Sequence, residues 1–286
     1  MGRLLFSAVF VLSTACFVSV RSTAQVAVPD TARKQVLPKP RSVVKRPPRP
    51  KPINREFAAG VQLNSDGYSV LIEKGYVRTE ESGEKADMFF NVRSYSLEFT
   101  EYFSPSELKS TSSSDPNFSV RSSNYKFGKA NNFYAVKLGM NFRKMIAGKP
   151  EQSSVAIHWV NGGGLAIGLV KPYYVLGRSA SQGIGPIKYD GDDAAAFLDA
   201  NTIEGKAPFT EGLKDITINP GLHAKSALRF DFTNNKKRIL ALETGVNLAY
   251  YLKPVAIMAT KDAQSLYANV YAAFYFGRRY AGKERY

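Results

Sequence analysis

The sequence predicts an all-β fold: an antiparallel transmembrane β-barrel of about 8 (8–10) strands carrying a disordered N-terminal arm. Three observations predict it. In the stretch Gln264 to Tyr280, the alternate residues Leu266, Ala268, Val270, Ala272, Phe274 and Phe276 form a wholly apolar face. A period of two held this long is a β-strand with two unlike sides. The opposite face is Tyr267, Asn269, Tyr271, Ala273, Tyr275 and Gly277, and no charge intervenes until Arg278 and Arg279. A strand of a soluble protein would usually carry charge on that side, whereas a membrane barrel strand puts lipid on one side, lumen on the other and aromatics near the interface. The second observation is strand length. Several alternating segments exceed ten residues, longer than is usual in a soluble sandwich and about what a tilted membrane strand needs. The third is that charged residues fall on the same face as Asn and Gly, so one face stays apolar throughout.

Composition agrees. A chain of 286 residues can hold one large β domain, and it is rich in Gly (22), Tyr (16) and Phe (18) beside one Trp and one Cys. No apolar run outside the N-terminus is long enough for a transmembrane helix. Barrel strands escape such a search, because half of their residues are polar.

Four regions follow. Residues 1–24 read as a secretory signal, with Arg3 as the positive start, Leu4 to Val20 as the apolar stretch and Ser22-Thr23-Ala24 before the cut at Gln25. An alternative is a lipoprotein signal cut at Cys16; if Cys16 instead leaves with the signal, the mature chain has no cysteine and no disulfide. Residues 25–56 form a basic, Pro-rich arm, residues 57–280 the outer-membrane barrel and residues 281–286 a C-terminal tail.

From Val26 to Arg55 the arm carries Arg33, Lys34, Lys39, Arg41, Lys45, Arg46, Arg49, Lys51 and Arg55 against the single acid Asp30, with seven of the fifteen prolines. Such a segment buries no core and stays extended, with polyproline II character. Nine bases less one acid account for +8 of the formal +15, and Arg3 and Arg21 of the signal for +2, leaving +5 for the barrel. The high pI therefore belongs mostly to the arm. An exported chain with no base-stacking motif gives no nucleic-acid partner. The arm is either a solvated linker or a contact to an envelope protein, the cell wall or lipid head groups.

The strands come in order. Phe57 to Val77 contains Phe57, Ala59, Val61 and Leu63, the turn signal Asn64-Ser65-Asp66-Gly67, then Tyr68, Val70, Ile72 and Tyr76. It reads as one bent strand or a short hairpin. In Met88 to Phe103, Tyr95, Leu97 and Phe99 oppose Ser94, Ser96, Glu98 and Thr100. Ser104 to Ala130 is a Ser-rich connection. Phe133 to Arg143 alternates Tyr134, Val136, Leu138, Met140 and Phe142 with Lys137, Gly139, Asn141 and Arg143. Ser154 to Asn161 and Leu165 to Leu176 are read as two strands, with Gly162-Gly163-Gly164 as the tight connection between them. Gly177 to Lys214 is the longest interruption, and Asp192 to Ala200 within it suits a turn or two of helix. Ile216 to Phe232 has no charge on its even positions, and Asn234 to Lys237 is a hairpin turn. A strand running to Leu252 and the closing strand complete the set.

Four stretches carry a family resemblance: Tyr95 to Leu108 (YSLEFTEYFSPSEL), Asn124 to Gly139 (NYKFGKANNFYAVKLG), Gly162 to Tyr174 (GGGLAIGLVKPYY) and the final LYANVYAAFYFGRRY. With them the chain resembles a little-characterised group of Bacteroidetes outer-membrane β-barrel proteins. Ser104-Pro105-Ser106-Glu107 departs from the His-Pro-Lys-Glu-like segment expected there. The resemblance implies a barrel in the cell outer membrane and brings no established reaction.

The sequence offers little chemistry. His158 and His223 are the two histidines, each on the polar face of a strand. A hydrolase would need a serine beside one of them and an orienting carboxylate, for which Ser154 and Ser226 are the candidates. There is no Cys/His metal spacing, Walker A loop or dinucleotide fingerprint. No catalysis and no cofactor are expected. The lumen face gathers Lys137, Arg143, His158, His223, Lys225, Arg229, Asp231 and Glu243. In a barrel of eight strands the interior is filled by side chains, so these charges should pair and lock it. The reading is a small outer-membrane barrel, structural or part of an envelope or secretion assembly, with outer-membrane lipid as its surroundings. A secreted or periplasmic ligand-binding β-barrel and an outer-membrane lipid hydrolase are the two other classes.

Overall fold

The computed structural model describes residues 53–77, 91–107, 109–111, 124–148, 155–179, 183–232 and 237–281. The signal region, Cys16, Ser154 and the basic residues Arg33 to Lys51 of the arm lie outside the described residues.

Thirteen strands follow one another among the described residues: β1 (Arg55–Asn64), β2 (Gly67–Val77), β3 (Asn91–Tyr102), β4 (Lys109–Thr111), β5 (Asn124–Lys126), β6 (Asn131–Ala147), β7 (Ala156–Pro172), β8 (Tyr174–Ser179), β9 (Gly183–Lys188), β10 (Ile203–Lys206), β11 (Thr217–Asp231), β12 (Arg238–Val255) and β13 (Gln264–Tyr280). Eight of them close an antiparallel barrel in the order β1-β13-β12-β11-β7-β6-β3-β2. The seam is β1 against β13, from Arg55 opposite Tyr280 to Asn64 opposite Tyr271. Closure leaves none of the eight strands with an open edge, which is what a sheet surrounded by hydrocarbon requires.

The alternation decides which side faces in. On β13, Val270 is 60% and Phe274 51% exposed, while Tyr271 and Tyr275 are buried in the interior. The same holds around the ring: Val61, Val70, Leu97, Leu138, Leu165, Leu222, Leu228 and Leu248 all point outward. The outer wall is therefore apolar and the inner wall polar, the reverse of a soluble barrel built around an apolar interior. Near the end where β1 begins and β13 stops, called the terminal end, the outer wall changes character. There Arg93 lies over Phe142 at 5.4 Å, Lys74 over Tyr76 at 5.9 Å, and Trp159 stands outward. Amphipathic rings with lysine and arginine beside them suit a membrane–water boundary.

The connections differ at the two ends. β11 and β12 follow one another at the terminal end, and the turn expected at Asn234 to Lys237 lies outside the described residues except for Lys237. At the opposite end lie the long segments between β3 and β6 and between β7 and β11, which hold all the described strands outside the barrel. β4 pairs with β5, and β8 lies between β9 and β10. A four-residue helix α1 (Ala194–Phe197) sits inside the expected Asp192 to Ala200 stretch, and its Phe197 packs with Tyr173, Val175, Ile187 and Ile203.

Three expectations need correction. The glycines Gly162 to Gly164 are not a turn; they lie in the middle of the continuous strand β7. Their role is close approach: a Cβ on Gly164 would run into the Leu138 carbonyl oxygen, and one on Gly162 into Asn141 Oδ1, both well inside van der Waals contact. Tyr174 to Leu176 belong to β8 outside the barrel rather than to the strand begun at Leu165. The arm ends earlier than expected, because Arg55 and Glu56 open β1 and Glu56 is buried in the lumen. Of the two readings of Phe57 to Val77, the structure has the hairpin and not the single bent strand.

Candidate functional site

The lumen is built from inward residues of all eight strands, and it is ionic. Five carboxylates, Glu56, Glu73, Glu98, Asp231 and Glu243, meet five cations, Lys137, Arg143, Lys225, Arg229 and Arg279, in pairs among the described residues. At the centre Arg229 Nη1 is 2.9 Å from Glu73 Oε2 and 3.8 Å from Glu243 Oε2, and its guanidinium lies 4.1 Å over the Tyr275 ring. Glu243 also takes Lys225 at 3.2 Å and the Tyr271 hydroxyl at 2.7 Å. Towards the terminal end Arg143 pairs with Glu56, and Arg279 with Asp231. Towards the loops Lys137 donates to Glu98 at 3.1 Å, and Thr100 to the same carboxylate at 2.9 Å.

Above Lys137 the lumen ends in a plug of four rings: Tyr102, Phe133, Tyr251 and Tyr267. Every pair among them is in contact, with centroids 4.9 to 6.4 Å apart. Packed rings on one side and paired charges below leave an interior filled by side chains, as the diameter of an eight-stranded barrel dictates.

All eight lumen residues named from the sequence are buried: Lys137, Arg143, His158, His223, Lys225, Arg229, Asp231 and Glu243. Six of them enter ion pairs. The histidines do not. His223 Nε2 is 3.3 Å from the Leu138 carbonyl oxygen, and its ring occupies the space that Gly139 leaves open. Neither ring nitrogen of His158 has a hydrogen-bond partner among the described residues. Ser226, one of the two serines considered for a nucleophile, faces outward, where it donates to Asn161 Oδ1 at 2.8 Å and accepts from Trp159 Nε1 at 3.2 Å. The barrel wall separates it from both imidazoles. No group of three His, Cys, Asp or Glu is placed to hold a metal ion among the described residues. Sequence reasoning left Glu56, Glu73 and Arg279 out of the lumen set. Each shares the inward parity of its strand, and that parity was the available signal.

A second site lies at the loop end, on the outside of the rim. Glu101 of β3, Tyr134 of β6 and Lys171 of β7 form the wall, and the segment from Lys206 to Glu211 covers it. Between them is a cleft of ≈ 370 Å³. Its neighbourhood is held by Glu107, which accepts from Lys126 and, at 2.8 Å, from the buried Lys129. Burial alone would raise the Glu107 carboxyl, but the two lysines outweigh it and hold it below its ordinary value. Tyr174 is pushed up to about 12 by burial and by its hydrogen bond to Asp215. Through these two lysines Glu107 anchors the loops.

No family model and no curated protein sequence matches the chain. Among solved structures, the N-terminal β-barrel domain of Pseudomonas aeruginosa OprF is similar at 10% identity, over 81% of this chain and 100% of its own, with a TM-score of 0.35. Neisserial surface protein A is similar at 12% identity over 80% and 96%, with a TM-score of 0.30. The outer membrane enzyme PagL is similar at 10% identity over 77% and 97%, with a TM-score of 0.32. At these scores the likenesses assign neither a function nor a residue role.

Proposed function

We propose that the protein is a small integral barrel of the cell outer membrane, structural or a component of an envelope or secretion assembly. The observation that carries this reading is the pairing of an apolar outer wall with a lumen closed by ion pairs and rings. An apolar wall around the whole barrel is costly in water and favourable in lipid. A filled, paired lumen suits a rigid staple better than a conduit. In this reading the signal delivers the chain to the periplasm. Both ends of the barrel then face that compartment, because an even strand number returns the chain to its starting side. The basic arm extends from there to an envelope protein or the cell wall.

The test is fractionation with gel migration. The full chain should partition with the outer membrane, resist carbonate extraction and migrate differently before and after boiling. Release by carbonate, with one migration position, would instead favour the secreted or periplasmic β-barrel. Deleting residues 33–51 should leave heat-modifiability intact while weakening a salt-sensitive association, read by cross-linking from a probe at Ser42 at low and high salt. A truncated chain that fails to assemble would make the arm structural.

A further inference from the structure

Lys171 is the most unusual cation outside the lumen. It sits near the loop end of β7, is only 3% exposed, and lines the cleft beneath Phe209. Its ammonium lies 4.5 Å from the Phe209 ring centroid, and among the described residues no carboxylate meets it in an ion pair or hydrogen bond. Lys206 and Glu211 act on it from a distance and oppose each other in sign. An ammonium that keeps only a little contact with water loses hydration unless an anion meets it, and a ring face returns only part of that loss. In the lumen the buried Lys137 and Lys225 are each paired with a carboxylate; the buried Lys129 is paired too. Lys171 departs from that rule, and it does so on the wall of a cleft large enough for a small molecule.

The rest of the cleft fits one kind of occupant. Lys109 and Lys206 add positive charge among its lining residues and, with Lys171, outnumber the carboxylates of Glu101 and Glu211, while Tyr134 and Phe209 offer flat apolar faces. Phe209 is 59% exposed, so a ring face is open to a ligand. Flat apolar faces suit the C–H face of a sugar ring, and lysines suit a phosphoryl or carboxyl group.

We infer that the loop-end cleft binds an anionic saccharide, with Lys171 meeting its phosphoryl or carboxyl group and Phe209 stacking on its ring. The saccharide is either free in solution or the headgroup of a lipid, since the cleft opens on the outer wall above the apolar band.

Isothermal titration of the full chain, refolded in detergent, tests this with glucose 6-phosphate against glucose. Glucose 6-phosphate should bind measurably and glucose at least about tenfold more weakly, the scale of one charge-assisted contact. Lys171→Met should lose about tenfold in affinity for glucose 6-phosphate while keeping heat-modifiable migration. If Lys171→Met does not fold, Phe209→Ala at the exposed rim should show the same loss. Equal binding of glucose and glucose 6-phosphate, or unchanged affinity in the folded variants, would overturn the inference. Competition by vesicles containing lipopolysaccharide would assign the site to a lipid headgroup; binding of glucose 6-phosphate that such vesicles leave unaltered would assign it to a soluble sugar.

Discussion

Arg229 Nη1 lies 2.9 Å from Glu73 Oε2, and the contact joins residues 156 apart in sequence. It also spans the lumen, since β2 and β11 stand four places apart around the ring in either direction. A bond across the diameter fixes how the two halves of the sheet face each other. Arg229→Met leaves Glu73 without its ion-pair partner inside the lumen and should cost about 3–5 kcal/mol of folding free energy; Glu73→Gln should cost less, since Arg229 keeps Glu243 at 3.8 Å. The double variant should cost less than the sum, because neither charge is then stranded. Urea titrations of the four forms in detergent provide the cycle; strictly additive losses would show that the two residues do not interact.

Leu222 and Lys225 stand on opposite sides of the same strand. Leu222 is 60% exposed on the outer wall, and Lys225 is buried against Glu243. Leu222→Arg should cost about 2–4 kcal/mol near the midplane of a bilayer. Lys225→Gln should cost less, since Glu243 keeps the Tyr271 hydroxyl and Arg229. Refolding into bilayers separates the two, and equal losses would contradict an outward Leu222.

Gly164 and Gly185 make a matched pair of controls. A Cβ at Gly164 would press on the Leu138 carbonyl oxygen, whereas a Cβ at Gly185 meets nothing within 4 Å. Gly164→Ala should cost about 1–3 kcal/mol through overpacking, and Gly185→Ala should stay within about 0.5 kcal/mol. Thermal shift of the folded band on a gel reads both. A turn at Gly162 to Gly164 would reverse the expectation, since turns tolerate alanine wherever φ is negative.

At these glycines local signals and long-range parity point in opposite directions. Triple glycine is a strong turn signal taken locally, but the apolar residues Val155, Ile157 and Trp159 before it and Leu165 and Ile167 after it are all odd-numbered. That unbroken parity is the mark of one strand running through. Alternation made the eight barrel strands legible, because lipid on one side and lumen on the other impose a period of two on every residue between. It also found most of the lumen charges. It could not find the cleft, whose residues come from the rim and from a segment with no periodicity. Lys171 lies past the reach of the alternation: a covering loop, not the pleat, buries it. Nor could period reveal the plug, because Tyr102, Phe133, Tyr251 and Tyr267 meet only after the ring has closed.

Glu107 gives the loops a dependence on acid. Its carboxyl is held below the ordinary 4.5 in the folded chain, so its contribution is complete above that value and is lost as pH falls through the lower, folded-state value. Amide exchange in β4 and β5, corrected for intrinsic rates, should show protection at neutral pH that declines in strong acid. Glu107→Gln should have low protection at every pH. A variant as protected as the parent would mean that Lys126 and Lys129 do not anchor these strands.

Trp159 offers the most direct test of the membrane reading, because it is the one tryptophan in the chain and stands 49% exposed on the outer wall of β7 near the terminal end. Reconstituted into bilayers of brominated lipid, the unmodified protein should lose Trp159 fluorescence. Bromines placed near the head groups should quench more than bromines deep in the acyl chains, and aqueous iodide should quench little. Quenching by iodide with no response to brominated lipid would place the apolar wall in water and contradict a barrel that spans the bilayer.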